Sequence, residues 1–351
     1  MPRFLIVICL FGLGGCSSLS YYAQSVRGQM AVMAASRPVE DVLADPRTAE
    51  PVRLRLRQLA ELRRFAVEEL RLPETDSYRR YAKLQRDAMA WSVVATPVDS
   101  LVPREWCYPV IGCATYRGYF SAEAAQAYAA ELTLEGWDTA VEPVPAYSTL
   151  GWFSDPLPST VIGWATVDIA GLLFHELAHE ALYLRGDSAF NEAYATVVEK
   201  EGVRRWLQRY GDAQARAERK LHEQRRTDFL RLLAGARQRL VQLYATGADR
   251  EELLARKDEI LKALRVDYAG LKAGWGGYAG YDRWFERPLN NAHLASINTY
   301  HALEPAFRRM LEQVKGDMEA FHATCRKLAA MQAVRRRGYI DGLLLDTARD
   351  G

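Results

Sequence analysis

The chain has 351 residues, 49% of them hydrophobic, which is enough to bury a large core in one large or two modest domains. Its 46 Lys plus Arg stand against 44 Asp plus Glu, so no overall field points to nucleic acid as a partner. No repeat of 20 to 50 residues and no long low-complexity tract is visible. At the N-terminus, MPRFLIVICLFGLGGCSSLS combines one arginine, an apolar run from Phe4 to Leu13 and small residues before a cysteine. That run is too short to span a bilayer and suits the core of a signal peptide covering residues 1–15.

Leu13-Gly14-Gly15-Cys16 resembles the bacterial lipoprotein box. The resemblance implies cleavage before Cys16 and acylation of that residue, whose several chains would hold the protein on a membrane. Ser17 rather than aspartate follows the cysteine, which by the same resemblance implies the outer membrane, facing the periplasm. Such a compartment is oxidising, so Cys107 and Cys113 in WCYPVIGC are placed to close a short loop, while Cys325 is left as a buried thiol.

In chain order, residues 22–36 and 47–71 read as helices, the second with leucines at helical spacing. AWSVVATP at 90–97 reads as a strand, and WCYPVIGC, TYRGYF and TAVEPV offer further short extended segments. Between them SAEAAQAYAAELTLEGW is a helix opened by Ser121. YSTLGWFSDPLPST is a turn-rich loop that leads into an apolar helix. From about 205 to 268 the chain is helical and heavily charged, broken at ATGADR, which is the pattern of a long helical hairpin with solvated faces. GWGGYAGYDRWFERPLNNAH reads as loop, and helices over 295–314 and 316–336 finish the chain. The expected fold is α+β and mostly helical: a small sheet next to the key helix, with the hairpin at about 206–268, in one domain over 16–351.

The key helix carries His175-Glu176-Leu177-Ala178-His179. On a helix, residues i and i+4 share a face about 6 Å apart along the axis, so both imidazoles can reach one ion. A catalytic zinc keeps three protein ligands and an open position for water, and Glu176 is placed to take a proton from that water. The third ligand must come from elsewhere. Gly186 is a natural helix stop and Asp187 or Ser188 a natural cap, so a second helix runs back antiparallel. Counting the rise of about 1.5 Å per residue from the turn returns residue 192 or 193 to the level of His179. Glu192 is therefore the best candidate. Glu199 overshoots the middle of the pair by about 6 Å, and with Lys200 and Glu201 it reads as a solvated face. Asp168, seven before His175, is a possible orienting carboxylate. His222 and His322 read as surface residues. His293, Tyr278 and Tyr281 could face the metal, although packing roles suit them better.

Asn191-Glu192-Ala193 resembles the Asn-Glu pair of thermolysin-type zinc peptidases, in which the glutamate is the third zinc ligand. The lipobox, YPVIGCATYRGYF, WFSDPLPST, FHELAHEALYLRGDSAFNEAYATVVEKEG and RPLNNA together are similar to a bacterial family of predicted zinc aminopeptidases, a likeness covering nearly the whole chain. It implies a metalloprotease binding one zinc ion through His175, His179 and Glu192, with Glu176 as base and a peptide as substrate. A non-catalytic, lipid-anchored envelope scaffold acting through the helical hairpin is the alternative.

Overall fold

A computed structural model describes residues 14–108, 112–149, 152–295 and 303–349. The expected leader up to residue 13 and the side chain of Cys16 lie outside what is described. Helix α1 (Gly14–Ala34) opens the structure and leads into strand β1 (Ser36–Pro38), the short helix α2 (Val39–Ala44) and helix α3 (Glu50–Glu68). No described helix is long and apolar enough to cross a membrane.

Helix α3 forms where the leucine spacing predicts it, and Leu56, Leu59, Leu62 and Phe65 make one buried face. At about 1.5–3 kcal/mol per fully buried large apolar side chain, this stripe is the main reason the arginine-rich helix stays docked. Strand β2 (Arg80–Ala82) follows, then β3 (Ala90–Pro97), the stretch that the β-branched run of AWSVVATP predicts. Strands β4 (Trp106–Tyr108) and β5 (Gly112–Ala114) pair as a hairpin closed by a Cys107–Cys113 disulfide. Cys325 is free and buried. Strand β6 (Arg117–Tyr119) precedes helix α4 (Ala122–Leu134), which Ser121 caps by accepting from the Ala124 amide.

Strand β7 (Trp137–Val144) pairs antiparallel with β3 along its whole length, and β6 pairs with the other edge of β3. Val93, Ala95, Ala125, Ala129 and Leu132 seal this sheet against α4. A second small sheet joins β1, β2 and β8 (Leu157–Pro158). Helices α5 (Thr166–Ala181) and α6 (Ser188–Tyr210) then form the centre of the main core. There Phe174, Phe190, Tyr194 and Val198 meet α3 and the later helices Glu304–Gln313 and Met318–Ala329.

The charged hairpin consists of α7 (Ala213–Tyr244) and α8 (Arg250–Gly274), so it starts later than the sequence reading places it. The reason is that α6 does not stop near 205: Val203, Trp206 and Leu207 prolong its buried stripe, and the helix runs on to Tyr210. RPLNNA ties the hairpin to the sheet. Asn291 is fully buried, donates from its side chain to the carbonyls of Pro97, Val98 and Ser100, and donates its backbone N–H to Asp138. Buried Lys257 of α8 bonds the same Asp138 and the Val98 carbonyl at 3.0 Å. The expected final helix is divided in two. A break after Ala329 starts a new helix, Ala333–Arg349, which returns Ile340 and Leu343 to the main core.

Candidate metal centre

The site is built on the turn between α5 and α6. Helix α5 ends at Ala181, and Gly186 takes a left-handed φ of 78°, which an L side chain would strain. Asp187 caps α6 by accepting from the Phe190 amide at 3.1 Å. Asn191 fastens the turn twice, accepting from the Leu184 amide at 2.7 Å and donating to the Leu184 carbonyl at 2.9 Å. The Asn of the Asn-Glu pair thus fixes the entry of α6, and the next residue, Glu192, comes to face the two histidines.

One donor atom each of His175, His179 and Glu192 lies within 4.8 Å of the others. The two Nε2 atoms are 3.2 Å apart, with Glu192 Oε2 3.3 Å from His175 Nε2 and Glu192 Oε1 3.7 Å from His179 Nε2. Tetrahedral zinc with bonds of about 2.0–2.2 Å holds its ligand atoms roughly 3.3–3.6 Å apart, so the spacing suits one such ion. The chemistry of the donors fits as well. His175 Nδ1 donates to Glu199 Oε2 at 3.2 Å, which leaves the Nε2 lone pair directed at another imidazole and a carboxylate. Acceptors converging on one point repel unless a proton or a metal cation sits among them.

The protonation pattern expresses the same demand. Burial disfavours a charged His175, yet hydrogen bonds to Glu192 and Glu199 outweigh burial and hold this imidazole well above the usual histidine range. Burial, followed by the neighbouring His175 charge, pulls His179 down to about 4. The Glu192 and Glu199 carboxyls are opposed by burial and still held below the ordinary range by His175. Glu176 is buried beside them without such a direct bond. Desolvation pushes it up to about 7, with His175 opposing and Glu192 adding to the rise. A carboxyl poised there can take and return a proton near neutrality.

Glu199 is where the structure departs from the expectation of a solvated face. Side chains on a helix lean towards its N-terminus, and for α6 that direction leads back to His175. The carboxylate therefore recovers the height that its Cα overshoots. It packs beside Gly171, where a Cβ would stand in ordinary contact at 3.5 Å from Glu199 Cγ and Oε1. Asp168 does not orient a histidine; it faces Arg219 at 3.8 Å. Lys200 pairs with Glu304, and Glu201 with Arg204 and Arg205.

Two recesses meet at His175 and Glu176. A cavity of about 480 Å³ is bounded by α1, β3, the segment after the disulfide hairpin, residues 144–148, and α5 and α6. The other, about 590 Å³, shares Ala146, His175 and Glu176 and is walled by Arg219, His222 and Arg226 of α7. His222 is thus part of a site wall. His222 is exposed, as the sequence reading expects, whereas His322 is not a surface residue: it is buried between the Tyr194 hydroxyl at 2.8 Å and the Leu70 carbonyl at 2.7 Å. His293, Tyr278 and Tyr281 line neither recess, and His293 Nδ1 meets Asn290 Oδ1 at 2.8 Å. The phenols that do line the cavity are others, among them Tyr116 and Tyr183. Burial and the Glu192 charge hold both above the ordinary tyrosine range, so both remain protonated donors. Sequence spacing offers no route to either, because Tyr116 arrives from a distant loop and Tyr183 lies past the end of α5.

No curated protein and no solved structure matches the chain. A family model described as "Putative aminopeptidase" matches residues 20–340, which includes α5 and α6, the sheets and the helical hairpin. The chain belongs to that family of putative aminopeptidases.

Proposed function

We propose that the protein is a zinc-dependent aminopeptidase in which His175, His179 and Glu192 hold one ion. The observation that carries this reading is the convergence of three donor atoms within 4.8 Å beside the buried carboxyl of Glu176. When bound, the ion supplies a Lewis acid for a peptide carbonyl and for water. Glu176 takes the proton from the attacking water and delivers it to the departing amine, so its carboxyl begins and ends the cycle ionised. Glu199 keeps the Nδ1 proton on His175 and with it the orientation of the ring. Tyr116 and Tyr183 offer hydroxyl donors to the oxygen that gains charge as the carbonyl is attacked. A lipidated Cys16 would place this chemistry on the periplasmic face of the outer membrane; the lipobox-like Leu13-Gly14-Gly15-Cys16 supports it, and labelling with a radioactive fatty acid tests it.

The decisive experiment is metal analysis of the purified protein alongside peptide hydrolysis. One zinc per chain is expected, lost in His175→Ala, while Glu176→Gln retains the ion and loses hydrolysis by a factor of about 10³ or more. Full peptide hydrolysis by Glu176→Gln would sink the mechanism. A His175→Ala protein that stays folded and keeps its cellular function would instead favour the scaffold alternative.

A further inference from the structure

We infer that the 480 Å³ cavity is a specificity pocket for an aromatic or bulky apolar side chain, carried by the N-terminal residue of the peptide. The inference rests on the aminopeptidase reading and goes beyond it to the class of substrate.

A pocket of this size takes a small ligand or a single residue with its adjoining backbone. Its walls include Tyr21, Tyr108, Tyr116, Phe120 and Tyr147, and no Lys or Arg is among the described lining residues. The phenol tips are largely occupied within the walls. Tyr21 donates to Tyr108, Tyr108 donates to the Tyr116 carbonyl, both at 3.4 Å, and Tyr147 donates to Gln29. What the rings of Tyr21, Tyr108, Phe120 and Tyr147 can still offer a guest is carbon surface. Arg117 and Arg86 stack on Tyr21 and Phe120, at 4.0 and 5.5 Å from the ring centres, and line no part of the cavity.

The open volume comes from small residues. Ser92 of β3 and Gly118 of β6 are cross-strand partners on one face of the sheet, and both line the cavity. A Cβ added at Gly118 would meet nothing within 4 Å. The acidic side chains in the lining, Glu176 and Glu192, belong to the metal centre and repel an acidic guest. A lysine guest would lose its hydration among rings, with both carboxylates already committed to the histidines and to catalysis.

The test compares kcat/KM of the zinc-loaded full chain for Phe-Ala-Ala, Ala-Ala-Ala, Glu-Ala-Ala and Lys-Ala-Ala. In parallel, calorimetry on Glu176→Gln measures the Kd of phenylalanine amide and alanine amide, which requires no turnover. Phe is expected to exceed Ala by about 10-fold or more in both measurements, with Glu and Lys below Phe. Gly118→Val places two methyl groups in the empty volume and should lower the Phe-to-Ala ratio by about 10-fold. Ser92→Leu fills the same space from the neighbouring strand and serves if the first variant does not fold. A preference for Glu or Lys, equal binding of the two amides, or an unchanged Phe-to-Ala ratio in the filled variants overturns the inference. Peptide cleavage without aromatic preference defeats the pocket assignment alone. Selective binding of phenylalanine amide by a protein that cleaves no peptide upholds the pocket and defeats the peptidase reading.

Discussion

The molecule contains two antiparallel helix pairs whose side chains do different work. In α5 and α6 most of the shared face is buried, and several of the polar groups that build the site are held by specific partners, Asn191 by the Leu184 backbone and His175 by Glu199. In α7 and α8 a single apolar stripe, including Leu233, Leu240, Leu261 and Leu264, holds the pair together. Their outer faces carry exposed ion pairs such as Arg256–Glu252 and Lys262–Asp258. Exposed pairs of this kind are screened by water and contribute little. The same topology thus fixes atoms in the first pair and only surfaces in the second. A reactive centre needs the first kind, because a displacement of about 1 Å is enough to cost activity.

The largest effect that sharpens this contrast is expected at Glu199. Glu199→Gln keeps the shape but removes the charge that holds the Nδ1 proton, so zinc affinity should fall by about 10- to 100-fold in a chelator competition. Glu201→Gln, two residues on and facing only arginines, should leave that affinity unchanged. Equal losses in the two variants would mean that the charge beside His175 has no special role.

A stability effect comes next. Gly202 of α6 lies where a Cβ would stand 2.5 Å from Phe174 Cδ2 and 2.6 Å from Leu70 Cδ1, both fully buried. Gly202→Ala should therefore destabilise by about 1–3 kcal/mol in urea melts, since the core around it has no slack. No loss at all would mean that α5 and α6 are not as tightly fitted as the contrast requires.

The surroundings of the first pair should also show in its pH dependence. Asp155, ahead of α5, is pushed up from 3.8 to about 6 by burial, against hydrogen bonds from Thr149 and with Glu180 adding to the rise. The folded state then binds the proton more tightly than the unfolded chain does. Its stabilising effect is complete below about pH 4 and fades as pH climbs through about 6. Asp155→Asn removes the titration, so the stability difference between wild type and variant should change by on the order of 2 kcal/mol between those limits. Melts of the metal-free proteins at several pH values measure it, and parallel curves would refute the assignment.

How much of this was legible beforehand follows from the same contrast. The α5–α6 turn could be read because HELAH, Gly186 and Asp187 act locally, through helical spacing, a left-handed φ and a cap. Counting rise per residue brought Glu192 to the histidines, because only the height of a Cα was needed. Glu199 escaped because its role depends on which way a side chain leans, and the height of a Cα does not carry that. Tyr116 and His322 escaped because each is placed by packing between elements far apart in sequence, which no local pattern encodes. Strand β3 and the cap at Ser121 were local and were readable. The end of α6 was not, since Trp206 and Leu207 belong to a core built by other helices.

The smallest expected effect has the opposite sign. Gly235 in α7 and Gly270 in α8 lie inside exposed helix faces, and a Cβ at either would meet nothing within 4 Å. Glycine costs a helix interior about 0.8–1.0 kcal/mol relative to alanine, so Gly235→Ala and Gly270→Ala should each stabilise by up to about 1 kcal/mol. One substitution, glycine to alanine, then destabilises the pair that carries the candidate metal centre and stabilises the pair that does not. If Gly235→Ala loses stability as Gly202→Ala does, the outer face of α7 must be covered by something, and the hairpin would be an interface rather than a solvated arm.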